Sequence, residues 1–216
     1  MHWLWKLILV VVMGKWLFGR DENDKVIRVM EIVNYFEEEI ELEDVRGLVI
    51  NLPHQPGIYG WYFNPVPPKV PHGDCTRVNG WTLLYVGIAT KDIRQRILDE
   101  HFHGNAYGST LRLSLGCLLT DILSIQLRRI GRSRKRLTFG QTGEVKLSEW
   151  MAKHARVAWR GNNELFQDKR FLKKLERLIV QERYSLPLNM NHNKKHPFYA
   201  QLKKIRKDCR KKALRS

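Results

Sequence analysis

The sequence predicts an α+β fold: a small mixed or antiparallel sheet of about three strands, flanked by helices. Three observations carry that expectation. Two runs rich in aromatic and β-branched residues, GIYGWYF at 57–63 and WTLLYVG at 81–87, read as strands. A shorter run, RVAW at 156–159, reads as a third. Around them apolar residues recur at helical spacing, the pattern of helices that cover a sheet.

The elements follow in order. Residues 26–35 have helical periodicity, and Glu37, Glu38, Glu39, Glu41 and Glu43 make an acidic connector behind them. Such a run is ordinarily a solvated face. Pro65, Pro67, Pro68, Pro71, Gly73 and Gly80 fill the stretch between the first two strands, so these pair as a hairpin with a long connection. Asp92 is placed to cap a helix carrying Ile93, Arg94, Arg96, Ile97 and His101. Another helix opens at Ser109 or Thr110, with Leu111, Leu115, Leu118, Leu119 and Ile122 as its apolar stripe. A basic turn follows at 132–136, a strand start at 137–139 and a short helix capped by Ser148. Residues 164–184 read as one long amphipathic helix, and a basic helix begins near Pro197. The expected organisation is a helical extension over 1–50, a central domain over 51–195 and a basic tail over 196–216.

The chain of 216 residues carries 38 Lys and Arg against 22 Asp and Glu, a net charge of +16. That surplus favours a polyanionic partner, because each neutralised phosphate releases a counterion. Arg128, Arg129, Arg132, Arg134, Lys135 and Arg136 form one basic cluster, and residues 194–216 hold ten Lys or Arg with one Asp. Cys75, Cys117 and Cys209 are widely spaced, with no Cys-x-x-Cys pair, which speaks for free thiols in a reducing compartment and against a zinc knuckle. The apolar run at 3–13 is shorter than the roughly 20 residues that span a bilayer. The expectation is a cytoplasmic protein without stable membrane insertion.

Gly57-Ile58-Tyr59 followed by Tyr85-Val86-Gly87 resembles the two-part signature of the GIY-YIG nucleases, with Val86 where Ile is usual and a longer spacing than usual. Asp92-Ile93-Arg94-Gln95-Arg96 resembles the arginine motif on the first helix of the excision-repair nuclease subunit. The stretch from His101 to Leu119 and the late Ser185-Leu186-Pro187-Leu188-Asn189 resemble a restriction-endonuclease-like branch of the family. The resemblance covers roughly residues 50–195. It implies a metal-dependent endonuclease that hydrolyses phosphodiester bonds in DNA, with RNA as the second candidate partner.

It also implies roles for single residues. Tyr59 orients or deprotonates the attacking water, with Tyr85 beside it; a free phenol, with its pKa near 10, needs a neighbouring cation for that task. Arg96 is placed on the scissile phosphate, which guanidinium grips in bidentate fashion. His101 assists proton transfer or holds the phosphate. Glu176 is the expected ligand of Mg²⁺ or Mn²⁺, since one carboxylate with waters and substrate phosphate suits either ion. Its spacing of three to Ile179 departs from the four common in the repair branch, and Glu182 and Glu164 stand as fallbacks. Gly87, Lys91, Arg94, Asn105 and Asn189 are the expected substrate-binding residues, and Ser109 to Arg112 form a candidate phosphate site at a helix start. His103 rivals His101, and an H-x-H pair suggests a transition metal only weakly. Two other readings remain: a catalytically inactive nucleic-acid-binding module, and a membrane-surface protein using the apolar run with the basic tail.

Overall fold

The computed structural model describes residues 23–37, 40–48, 52–131 and 136–214. The apolar run at 3–13, Glu38, Glu39, Arg132, Arg134 and Lys135 lie outside them. Among the described residues no helix is long and apolar enough to cross a membrane.

An antiparallel sheet of five strands is the centre of the structure, in the order β1(Glu43–Asp44), β7(Ala155–Arg160), β2(Gly57–Phe63), β4(Trp81–Ala89), β3(Arg77–Val78). The three expected strands are its middle three. The two edge strands are two residues each, too short to leave a periodicity, so the sequence there reads as acidic connector and Pro-rich loop. A separate ribbon pairs β5(Arg128–Arg129) with β6(Leu137–Thr138).

Helices cover both faces, which is why β2 is buried along its whole length. Alternation divides that strand cleanly. Tyr59, Trp61 and Phe63 enter one core, while Ile58 and Tyr62 enter the other. The first core is closed by a helix at Gln95–Phe102, by α2(Thr110–Leu118), by α4(Gly140–His154) and by α6(Tyr199–Ala213), with a single turn, α3(Thr120–Leu123), between α2 and the ribbon. The second is closed by α1(Asn23–Asn34), by α5(Lys169–Leu178) and by the turns after them. Gly60 opens room for Phe36 beneath α1: a Cβ there would stand 2.9 Å from the Phe36 ring and from Leu83 Cδ1.

Three expected elements differ. The long helix at 164–184 is a 3₁₀ turn (Glu164–Gln167), then α5, then a π-wound stretch (Ile179–Arg183), because Asp168 caps α5 by accepting from the Arg170 amide. Ser148 does not start a helix. α4 opens earlier, at Gly140 with φ +71°, and Ser148 lies inside it with its hydroxyl donating to the Phe102 carbonyl at 2.6 Å. The helix after Asp92 is also π-wound over Gln95–Phe102.

Candidate active site

Tyr59 stands on β2 opposite Gly87 of β4. Its ring crosses that glycine: a Cβ at Gly87 would overlap the Tyr59 hydroxyl and lie 2.6 Å from Cζ. The glycine of the second triplet is therefore the floor on which the tyrosine of the first triplet lies.

Tyr85 reaches the same face through a β-bulge. The register runs Trp61↔Tyr85 and then Tyr62↔Leu83, so Leu84 is the extra residue. Trp81 and Leu83 pack with the second core, yet Tyr85 packs with the first. Without the bulge, strict alternation would send Tyr85 to the face opposite Tyr59. With it, the two rings stand 6.4 Å apart between centroids.

The π-wound helix supplies the next two groups. Asp92 caps its start, accepting from the Gln95 amide at 2.9 Å, as expected. Arg96 Nε donates to Tyr59 Oη at 3.3 Å, and His101 Nε2 lies 2.7 Å from the same oxygen. On an α-helix residues five apart point about 140° away from each other, at 100° per residue. The i→i+5 bonds of a π-helix bring them close to one line, so one phenol meets both.

The other side of His101 is held as firmly. Ser109 Oγ lies 2.6 Å from Nδ1 and also caps α2 by accepting from the Arg112 amide at 3.1 Å. Arg112 is fully buried. It donates to the carbonyls of His101 and Phe102 and to the carboxylate of Glu144, 2.8 Å away. The expected phosphate site at 109–112 is thus corrected: the hydroxyl and the guanidinium there are spent on the protein itself.

Electrostatics keep the centre neutral. Burial pushes the Tyr59 phenol well above its usual range, and the nearby Arg96 only partly opposes this. Burial also raises Tyr85, against Arg96 and a hydrogen bond with Thr110. Burial, with Arg96 and Arg112 close by, holds His101 well below its ordinary value. A neutral imidazole has one N–H, so one of its two hydroxyl neighbours must donate to it and the other must accept.

Above this centre a cleft of about 360 Å³ opens, lined by Lys91, Asp92, Arg96, Glu100, Glu176 and Asn191 among others. Glu100 pairs with Arg96. Glu176, on α5, is half-buried, and burial raises its carboxyl above the ordinary range, opposed by Arg96. Glu182 lines a different cavity and Glu164 is exposed on the 3₁₀ turn, so Glu176 alone of the three carboxylates borders this cleft. Among the described residues no cluster of three or more His, Cys, Asp or Glu is disposed to hold a metal ion. A divalent ion here would rest on Glu176, with Glu100 within the same cleft, and take its other ligands from water and phosphate.

The remaining expected residues separate. Lys91 lines the cleft; Arg94 does not. Asn189 is buried and both amide atoms engage Val86, Oδ1 accepting at 2.9 Å and Nδ2 donating at 2.7 Å, so it closes the edge of β4 where β3 has ended. Asn105 accepts from the amides of Tyr107 and Gly108 and shapes the loop before α2. His103 is exposed and borders another cavity, so it forms no pair with the buried His101. Sequence reasoning missed Ser109 as the partner of His101, and also Glu100 and Glu144. Glu144 is 32 residues from Arg112, and no local pattern announces such a pairing.

Neither the curated proteins nor the solved structures compared with the chain give a match. A family model does: that of the GIY-YIG catalytic domain matches residues 57–208, which include both tyrosine triplets, the arginine helix, Glu176 and Asn189. The chain belongs to the GIY-YIG nuclease family, whose members are phosphodiester hydrolases.

Proposed function

We propose that the chain is a divalent-metal-dependent endonuclease acting on DNA, with Tyr59, Tyr85, Arg96, His101 and Glu176 as its catalytic set. One observation carries the reading: the Tyr59 hydroxyl meets both Arg96 and His101, and the same Arg96 lines a cleft that Glu176 borders.

The roles follow from that geometry. Arg96 holds a non-bridging oxygen of the scissile phosphate while its Nε–H stays on Tyr59. His101 remains neutral between two guanidinium groups, so it acts best as a donor. Ser109 donates to Nδ1, and Nε2–H is directed at Tyr59 Oη. Two donors on one phenol oxygen stabilise its anionic form. On ionisation the Tyr59 proton passes to bulk solvent, and the phenolate then takes a proton from the attacking water. The water oxygen bonds to phosphorus, the bond to the leaving sugar oxygen breaks, and that oxygen takes a proton from solvent. Tyr85 packs beside Tyr59 and fixes the ring. Glu176 would hold Mg²⁺ or Mn²⁺, which would supply positive charge to the strained phosphate and the leaving oxygen. Gly87 keeps the floor of the site open, and Lys91 offers a phosphate contact at its rim. Arg94, on the same helix outside the cleft lining, is a backbone clamp. Asn105 and Asn189 act by shaping the loop and the strand edge that frame the site.

Incubation of supercoiled plasmid with the purified protein and Mg²⁺ or Mn²⁺ tests the reading. Nicking or linearisation is expected, and Glu176→Gln abolishes both that activity and Mn²⁺ binding measured by calorimetry. Wild-type protein that cuts no DNA with either ion would refute it.

A further inference from the structure

The loop between the π-wound helix and α2 holds an aromatic side chain away from the core. Tyr107 is 55% exposed, and the guanidinium of Arg136 lies over its ring, 5.7 Å from the centroid. Three anchors hold the loop in place. Asn105 Oδ1 accepts from the Tyr107 amide at 3.0 Å, the Ala106 amide donates to Glu144 at 3.0 Å, and Ser109 contacts His101. The Tyr107 backbone cannot follow its ring inward, so the ring stays in water.

Its position bears on the chemistry. Ser109, two residues on, touches the imidazole of the catalytic centre, and Thr110 hydrogen-bonds Tyr85. Two residues span no more than about 7 Å of chain, so Tyr107 stands at the rim of the wall that carries these contacts. Arg136 leads into β6, and its carbonyl accepts from the Ile130 amide at 2.9 Å. Arg128 and Arg129 of the same ribbon are exposed, as is Ile130. An aromatic face and a row of cations thus lie together on the surface beside the loop that carries Ser109 and Thr110. Successive bases stack on such faces while the cations follow the phosphates.

Resting on the endonuclease reading above, we propose that Tyr107, with Arg136 over its ring, is a substrate-contact residue that stacks an unpaired nucleobase flanking the scissile phosphate. The substrate class is then DNA with a locally unstacked or single-stranded base at the cut, since a base inside an intact duplex offers no face. Tyr107 takes no part in bond cleavage.

The test uses the full chain and a single-stranded 12-mer DNA carrying one 2-aminopurine, in a metal chelator so that no strand is cut. Wild type and Tyr107→Phe are expected to quench the fluorophore alike. Tyr107→Leu is expected to bind about tenfold more weakly and to lose the quench, the scale of one base–aromatic stack. Arg136→Gln falls between them. A Tyr107→Leu variant that binds and quenches like wild type overturns the proposal, as does a Tyr107→Phe variant that loses as much as Tyr107→Leu. Plasmid nicking by the same proteins separates the two readings. Quenching by a wild type that never nicks sinks only the nuclease reading, and nicking with an unaffected Tyr107→Leu quench sinks only this one.

Discussion

Burial makes Tyr59 a poor base by default. Its phenol is removed from water, and the nearby Arg96 only partly offsets that burial. Loss of the oxygen should therefore remove the chemistry without disturbing the fold. Tyr59→Phe is expected to lower plasmid nicking by roughly 10²–10⁴-fold, the usual worth of a positioned proton acceptor, with an unchanged far-UV spectrum. Gly87→Ala should do comparable damage by another route, because the new methyl overlaps the phenol. It is expected to cost about 1–3 kcal/mol in urea unfolding as well as activity. His101 offers a pH signature. Its folded pKa lies below the unfolded value of 6.5, so below that pH the unfolded chain binds the extra proton. The neutral imidazole's contribution is complete above pH 6.5 and declines as pH falls toward the folded pKa. Urea midpoints at pH 5.0 and 7.5 should differ more for wild type than for His101→Gln.

Two local irregularities assemble the site. The bulge at Leu84 turns Tyr85 toward Tyr59, and π winding lines up Arg96 with His101. Both are held from outside. The amide of Leu188 donates to the carbonyl of Leu84 at 3.1 Å, and Asn189 clamps Val86 two residues on. Arg112, paired with Glu144, ties the last carbonyls of the π-wound helix. Removing the cation while its buried partner stays is strongly destabilising. Arg112→Met is expected to cost about 3–5 kcal/mol in denaturant unfolding, against a small effect for the exposed Arg128→Met. Equal costs for the two would show that the buried pair does not hold this helix.

Charge acts at the scale of the whole molecule. Lys203, Lys204, Lys207, Arg210, Lys211 and Lys212 of α6 are exposed, while Arg206 is buried against α2 beside Ser114. The tail is therefore part of the core on one side and a cationic stripe on the other. Replacing Lys203, Lys207 and Lys211 with Gln is expected to weaken DNA binding uniformly across sequences. The slope of log affinity against log salt should shrink by about 0.9 for each phosphate that the variant leaves unneutralised. An unchanged slope would remove α6 from the interface.

The middle three strands, the capped helix after Asp92, the opening of α2 at Ser109 and the basic final helix were all legible in the residue pattern. They depend on periodicity, caps and turn residues, which are local properties of the chain. The tyrosine pair, Arg96 and Glu176 were legible as a resemblance, and Glu176 was separated from Glu182 and Glu164 only by the cleft it borders. Tertiary structure alone decided how Tyr85 comes to face Tyr59, that residues five apart share one phenol, and that Ser109, Arg112 and Glu144 hold the site from within. Those outcomes turn on one extra residue in a strand, an altered winding and pairings across about 30 residues. Packing between elements sets each of them, and a local pattern carries no record of it.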